Sequence, residues 1–471
     1  MVVAKLMDHQ EEGAAFLVGR KSGILAFEQG LGKTLIAIEA FCRLRAIGDA
    51  DRLLVICPNS LKRNWVVEVA KFTPWLTVDL IGGTMRQRRD ALAATATDIV
   101  VVNYEAARSE IVALQAFMRR HRTVLVLDES HCVKNRRSLT STAARHFAHL
   151  SDFRWLLSGT PVTNSPADIW TQVNLVSRCQ PLGSFERFML EHGDADRSRW
   201  RQEELARKLD AYLLRRTKEE CLDLPEKTFL DLFVALPPWQ RQLYDTVRDG
   251  IVRNVKGMSA DAFAAFAPTA LTRLLRLSQI ASDPALVFPD KGGDPAKFSH
   301  LDRVLEDLVV EGGRKVIVWS YYVGTIKKLA DRYADLGTVT LFGETPTEER
   351  QEIVKRFQDD PGTRVFIGNP AAAGSGFTLT AATHTVYETL TWRYDLYAQS
   401  QDRNHRIGQS APVTYIRLIA EDTIDEVIVQ TLERKAAMAT TILGDDFAGW
   451  PVAGVTPEAF CEMLRSNRLP G

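Results

Sequence analysis

Gln29-Gly30-Leu31-Gly32-Lys33-Thr34 stands between the apolar run Ile24-Leu25-Ala26-Phe27 and a helical stretch over residues 35–45. A strand, a glycine turn and a helix N-terminus in that order present backbone N–H groups, and the positive end of a helix dipole, to phosphate oxygens. Gly30 and Gly32 permit the tight turn, Lys33 is placed to reach β- and γ-phosphates, and Thr34 to ligate magnesium. The eight-residue phosphate-loop pattern asks for glycine where Phe27 stands, so a plain glycine turn ahead of a helix stays open as a second reading of this stretch alone.

A later stretch narrows the choice. Thr123-Val124-Leu125-Val126-Leu127 reads as a central strand, and Asp128-Glu129 follow at its carboxyl end, where open α/β sheets place their ligand crevice. Asp128 suits a magnesium partner and Glu129 a base that orients and deprotonates an attacking water.

Around these two stretches, apolar runs at 23–27, 53–57, 78–81, 99–102, 124–127 and 155–157 alternate with amphipathic segments such as 61–71, which predicts βαβ units and a largely parallel sheet. A second alternation, at 316–319, 339–342, 365–367, 385–387 and 413–418, predicts a second α/β lobe. Between them, residues 166–310 carry apolar residues at helical spacing, as in Leu205, Leu209, Tyr212 and Leu213, and are expected to project as helices without strands. The expected fold is α/β, two lobes of parallel sheet flanked by helices with helical insertions between them. The expected domains are 1–222 (insertion 166–222), a linker 223–235 around the hinge DLPEKT at 223–228, 236–444 (insertion 236–310), and a loosely attached tail 445–471.

Lys plus Arg equals Asp plus Glu at 59 each, so nucleic-acid binding would have to come from local basic patches and not from a global field. The six cysteines form no CxxC pair and read as reduced, packed thiols. His146 and His149, without Cys or carboxylate at ligand spacing, read as part of a surface helix. No stretch approaches the roughly 18 apolar residues of a membrane span, and the N-terminus has no apolar signal core. The chain is expected to be cytoplasmic, or nuclear in a eukaryote.

Asp128-Glu129-Ser130-His131 resembles the DExH box of superfamily-two helicase-like ATPases, and Ser158-Gly159-Thr160-Pro161 with Asn164 resembles their third motif. The wider set resembles the Swi/Snf family of DNA translocases: Leu6, His9, Gln10 and Gly13; GLGKT at 30–34; Pro58 with Asn64-Trp65; Lys134-Asn135; LSGTPVTN at 157–164; LRRTK at 214–218; and DRNHRIGQ at 402–409. That resemblance implies two RecA-like lobes, ATP and Mg2+ as ligands, and double-stranded DNA as a largely sequence-neutral partner of a monomer. It implies that His9 and Gln10 sit on the adenine side, that Gln29, Gly30, Leu31, Gly32, Lys33 and Thr34 hold the phosphates, and that Thr34 and Asp128 hold the metal. Glu129 would complete the hydrolytic centre, Gly374 and Gly376 would approach nucleotide and DNA, and Gln399, Arg403 and Arg406 would close the site.

Arg403 and Arg406 are three apart, so a helical segment would put both guanidinium groups on one face. Facing a γ-phosphate, such groups are worth roughly 10³ to 10⁵ in rate. The resemblance further implies DNA contacts at Lys62, Asn103-Tyr104, Lys134 and Asn135 in the first lobe, and at Gly343, Thr345 and Trp392 in the second. Contacts of this kind fix position, are salt-sensitive and carry little sequence information.

Three positions depart from the family pattern: Phe27 replaces an acid, Ser130 a small residue, and Trp392-Arg393-Tyr394 a Trp-Asn-Pro turn. None removes a group the chemistry needs. With no reader or nuclease segment left over, the chain is expected to be a minimal bacterial or viral motor. Two rivals stay open: a strand-separating DExH helicase on DNA or RNA, and a non-hydrolysing nucleotide-gated DNA clamp.

Overall fold

The apolar runs of the first half assemble as Ser22–Phe27 (β1), Arg52–Cys57 (β2), Val78–Leu80 (β3), Ile99–Asn103 (β4), Thr123–Asp128 (β5), Phe153–Leu157 (β6) and Leu213–Arg216 (β7). They make one parallel sheet in the order β3-β4-β2-β5-β6-β1-β7. This computed structural model describes residues 1–159, 167–177, 181–192, 199–291, 293–372, 377–442 and 456–469.

The uninterrupted apolar runs of β2 and β5 have a direct cause. Successive side chains point to opposite faces, and both faces are covered. Leu54, Ile56, Leu125 and Leu127 join one apolar cluster with Phe147, Ile169 and Val173 from helices Leu139–Ala148 and Ala167–Val176. Leu53, Val55, Val124 and Val126 join another with Ile36, Phe41, Trp65 and Val69 from helices Lys33–Ala46 and Lys62–Phe72. Each such fully buried aliphatic side chain contributes about 1.5–3 kcal/mol.

A second parallel sheet is built from Lys227–Val234 (β8), Val316–Trp319 (β9), Thr338–Leu341 (β10), Val365–Gly368 (β11), His384–Tyr387 (β12) and Val413–Ala420 (β13), in the order β10-β11-β9-β12-β13-β8. The chain divides into two compact units, with main bodies Met1–Asp223 and Leu224–Lys435. The α/β architecture of two helix-flanked parallel sheets is as the sequence predicts.

The intervening segments differ from expectation in three places. Residues 213–216 are a strand, not part of a helical insertion: β7 pairs with β1 from Ile24↔Leu213 to Phe27↔Arg216 and forms the sheet's edge. The helices before it do not project. Ile169, Val173, Phe188, Leu205 and Leu209 are buried in the core of the first sheet, and in the 236–310 region Tyr244, Ile251, Leu274 and Leu277 are buried in that of the second.

The expected linker 223–235 is mostly β8, which pairs with β13 along its whole length and is fastened by Arg417, whose Nε and Nη2 donate to Asp231 Oδ1 and Oδ2 at 2.5 and 2.7 Å. The expected tail contains helix Pro457–Ser466, which buries Phe460, Cys461, Met463 and Leu464 in the second unit's core. Among the described residues no helix is long and apolar enough to cross a membrane.

Candidate nucleotide site and basic motif

The strand order brings the two early motifs together. The glycine turn leaves the carboxyl end of β1, the acidic pair leaves that of β5, and β6 runs between them. Gly30 and Gly32 have φ of 90° and 81°, a left-handed region that L side chains rarely adopt, and Gly32 stands immediately before helix Lys33–Ala46. A Cβ on Gly32 would lie 2.5 Å from Gln10 Nε2, so a side chain there would also have to displace the Gln10 amide. Leu31 is buried, and its carbonyl accepts from His9 Nε2 at 3.2 Å and Gln10 Nε2 at 3.5 Å. Burial holds the His9 imidazole below its ordinary pKa.

Lys33 Nζ donates to the carbonyls of Phe27 at 2.8 Å and Glu28 at 3.2 Å, which folds the amine over the end of β1. Thr34 follows in the first turn of the helix. Gln29 Nε2 donates to Glu129 Oε1 at 3.3 Å, linking the glycine turn to the acidic pair. Ser158 and Gly159, at the end of β6, pass close beneath: a Cβ on Gly159 would lie 3.3 Å from Gln29 Cγ.

Asp128 is 5% exposed. Its Oδ2 accepts from Trp65 Nε1 at 2.8 Å, its Oδ1 from the Glu129 amide at 2.9 Å, and its backbone carbonyl from Tyr104 Oη at 2.8 Å. Burial, with the neighbouring Glu129 carboxylate second, pushes the Asp128 carboxyl above the usual carboxylate range. Glu129 has φ 51°, left-handed for a residue with a Cβ, and its Oε2 lies 3.3 Å from His131 Nδ1. Such backbone strain costs about 1–3 kcal/mol and persists where the surroundings impose it. Ser130 Oγ donates to Gln172 Oε1 at 2.6 Å in the buried interior, which gives the serine at this unusual position a partner.

Two side chains at this site carry roles that the motif string does not announce. Trp65 orients the Asp128 carboxylate, and Tyr104, expected on the DNA surface, is buried beneath the acidic pair. Their aromatic N–H and O–H groups inside an apolar core were the available signal, since such groups find an acceptor when buried.

The other first-unit candidates lie at the same carboxyl edge. Lys62 follows β2 and donates to Ile81 O at 3.2 Å; Asn103 ends β4 and donates to Glu105 Oε2 at 2.8 Å. Lys134 Nζ is 3.4 Å from Asp168 Oδ2, and Asn135 Oδ1 accepts from the Arg137 amide at 3.0 Å. Thr160, Pro161 and Asn164 lie outside the described residues, as do Gly374 and Gly376.

In the second unit, helix Tyr394–Gln401 ends before the basic motif begins. The helical spacing expected of Arg403 and Arg406 is therefore not the geometry they have. Side-chain bonds fold residues 402–409 as turns: the single Tyr415 hydroxyl proton is shared between Gln401 O at 2.9 Å and Asn404 Oδ1 at 3.1 Å, and Asn404 Nδ2 donates to Thr385 Oγ1 at 3.1 Å. Gln409 Nε2 donates to the carbonyls of Thr380, Ala382 and Asn404 at 3.1–3.3 Å. His405 Nε2 lies 2.8 Å from Pro225 O, tying the motif to the chain just after the first unit ends. Arg403 is 3% exposed with its guanidinium 5.5 Å from the Phe377 ring centre, while Arg406 is half-buried.

Gln399 lies in the preceding helix, and Trp392 lies in the loop after β12, its carbonyl accepting from the buried Lys435 amine at 2.7 Å. Gly343 and Thr345 follow β10, and Arg350 holds them: its guanidinium donates to Thr345 O at 3.0 Å, Gly343 O at 3.4 Å and Ala372 O at 3.1 Å. Arg350 belongs to no motif the sequence displays, because its partners are all main-chain carbonyls.

A glycine turn ahead of a helix and an acidic strand end, one strand apart on one parallel sheet, with a second parallel sheet following, define the class of helicase-like P-loop ATPase folds. The SNF2-related domain matches residues 9–286 and the helicase conserved C-terminal domain matches residues 296–408. The chain belongs to the SNF2-related family.

An "Uncharacterized ATP-dependent helicase" of Mycoplasma pneumoniae is 28% identical over 454 residues, covering 94% of this chain and 43% of that protein. The "DNA annealing helicase and endonuclease ZRANB3" of Bos taurus is 26% identical, covering 93% of this chain and 41% of that protein. The chain thus spans less than half the length of these relatives. The solved Sulfolobus solfataricus SWI2/SNF2 ATPase core in complex with dsDNA is 26% identical, covering 97% of this chain and 96% of that one, at a TM-score of 0.45.

Proposed function

We propose that the chain is an ATP-driven translocase that moves along double-stranded DNA, hydrolysing ATP as a cytoplasmic monomer and remodelling DNA or protein–DNA complexes. The observation that carries this reading is the convergence of Lys33, Gln29, Asp128 and Glu129 at the carboxyl ends of β1 and β5, which flank β6. ATP and DNA as substrate and partner are supported by the family and by the names its relatives carry, an ATP-dependent helicase and a DNA annealing helicase.

In this reading Lys33 and the amides of the glycine turn bind the β- and γ-phosphates, and Gln10 meets the adenine edge. Glu129, held by Gln29 and His131, accepts a proton from the attacking water. Arg403 and Arg406 neutralise charge that builds on the transferring phosphoryl group.

A magnesium ion fits the donor set, which offers the Thr34 hydroxyl and the Asp128 carboxylate as hard oxygen ligands. The crowding of two buried carboxylates at residues 128 and 129 is itself relieved by a cation. Bound there, the ion would offset phosphate charge. Lys62, Asn103, Lys134, Asn135, Gly343, Thr345 and Trp392 are proposed to meet the DNA backbone.

The test is the rate of ATP hydrolysis with double-stranded DNA, single-stranded DNA and RNA side by side. Strong stimulation by the duplex, without product strands in a displacement assay, is expected. Preferential stimulation by single strands or RNA would establish the strand-separating helicase instead, and absence of turnover the clamp.

A further inference from the structure

The LRRTK stretch matches the family but has no task in the reading above, and its side chains converge on the nucleotide turn. Arg215, in edge strand β7, is mostly buried, and its Nη1 donates to Ala26 O at 3.0 Å and to Gly159 O at 3.1 Å. Its Nη2 lies 3.6 Å from Glu28 Oε1, while Glu28 Oε2 accepts from the Lys218 amide at 2.9 Å. One guanidinium therefore joins the end of β1, the end of β6 and the side chain that opens the glycine turn.

Among the described residues Lys33 also ties the end of β1. Ala26 O is held by Arg215, whereas Phe27 O and Glu28 O are held by Lys33. An ammonium has three donors, and two of those on Lys33 are committed here, so bridging two phosphate groups requires Lys33 to release at least one. At that moment Arg215 and the Lys218 amide remain, beside the main-chain ladder to β7 in which the Glu28 amide donates to Arg216 O at 3.1 Å.

We infer that Arg215 is a positioning residue for the phosphate turn: it holds the end of β1 and Glu28 in place when Lys33 turns from the main-chain carbonyls to the nucleotide. The inference rests on the nucleotide reading of this site. Arg215 touches no reacting atom. A planar fork reaching two carbonyls and a carboxylate is a task for arginine, which lysine performs only in part. The same stretch continues directly to the crossover between units after Asp223.

The test is a double-mutant cycle on the full chain, read by thermal melting without nucleotide. Because Lys33 and Arg215 support the same strand end, Arg215→Ala is expected to lower Tm more in a Lys33→Ala background than in the wild type. Calorimetric titration with ATP and magnesium supplies the second arm. Arg215→Ala should weaken ATP binding about ten- to hundredfold, as for loss of a charged hydrogen-bond set, with Arg215→Lys intermediate. Glu28→Gln, a milder change that leaves the fork on both carbonyls, should weaken ATP binding less than Arg215→Ala, and it supplies the result if Arg215→Ala fails to fold.

Equal Tm losses in the two backgrounds, or unchanged ATP affinity in Arg215→Ala, or in Glu28→Gln where that is the variant that folds, would overturn the inference. Failure of the wild-type chain to bind ATP would overturn the nucleotide reading itself, and the melting cycle, which uses no nucleotide, tells the two failures apart.

Discussion

The two units use their sheets differently. In the first, the glycine turn, the acidic pair, Lys62, Asn103 and Lys134 all follow carboxyl ends of strands. In the second, Gly343, Thr345 and Trp392 also follow carboxyl ends, but the basic motif lies at the opposite edge, where Asn404 and Gln409 bond to Thr385, Thr380 and Ala382 just before and at the start of β12. The rule that ligands collect at the carboxyl edge of a parallel sheet thus locates one set of residues and misses the other.

The polar residues of the two regions also divide their tasks differently. Around Asp128 they are arranged at the cost of strain and like-charge crowding, whereas in DRNHRIGQ several of them build the turn that carries the arginines.

That contrast breaks if the arginines behave as fold elements. Arg406→Ala should retain ATP binding and lower DNA-stimulated turnover by about 10³ to 10⁵; unchanged turnover would remove the basic motif from the mechanism. Lys33→Ala should abolish nucleotide binding by calorimetry while its Tm without nucleotide falls by only a few degrees, the scale of about 1 kcal/mol or less in a chain of this size. Asn404→Ala should do the reverse, costing about 1–3 kcal/mol by leaving buried partners unsatisfied, read as a lower denaturant midpoint. The smallest effect sharpens the comparison most. Glu129→Gly should raise stability by about 1 kcal/mol while abolishing hydrolysis, because it relieves a left-handed backbone and a neighbouring like charge. A loss of stability there would mean that Glu129 holds the fold rather than the chemistry.

Most of the architecture was legible because it rests on local pattern. Both-face burial writes itself as continuous apolar runs, and β2, β5, β9 and β13 stand where those runs stand. The strands that were missed are edges. β7 is Leu-Leu-Arg-Arg with half-exposed residues, and β8 has exposed positions along most of its length, so neither shows the burial that makes a strand readable. The helix after Thr456 was missed because the glycine and proline content of its neighbourhood outweighed the spacing of Phe460, Met463 and Leu464.

The sequence by itself determined the family, the α/β class and the groups proposed to face phosphate, because a glycine turn and a strand-end carboxylate work through main-chain geometry that a few adjacent residues dictate. Only tertiary structure decided what holds those groups: Trp65 on Asp128, Gln29 on Glu129, Arg215 across two strand ends, and Asn404 with Gln409 folding the basic motif. The partners in these bonds come from different elements and are often main-chain carbonyls. A carbonyl is present at every residue, and so leaves no mark on the sequence that recruits it.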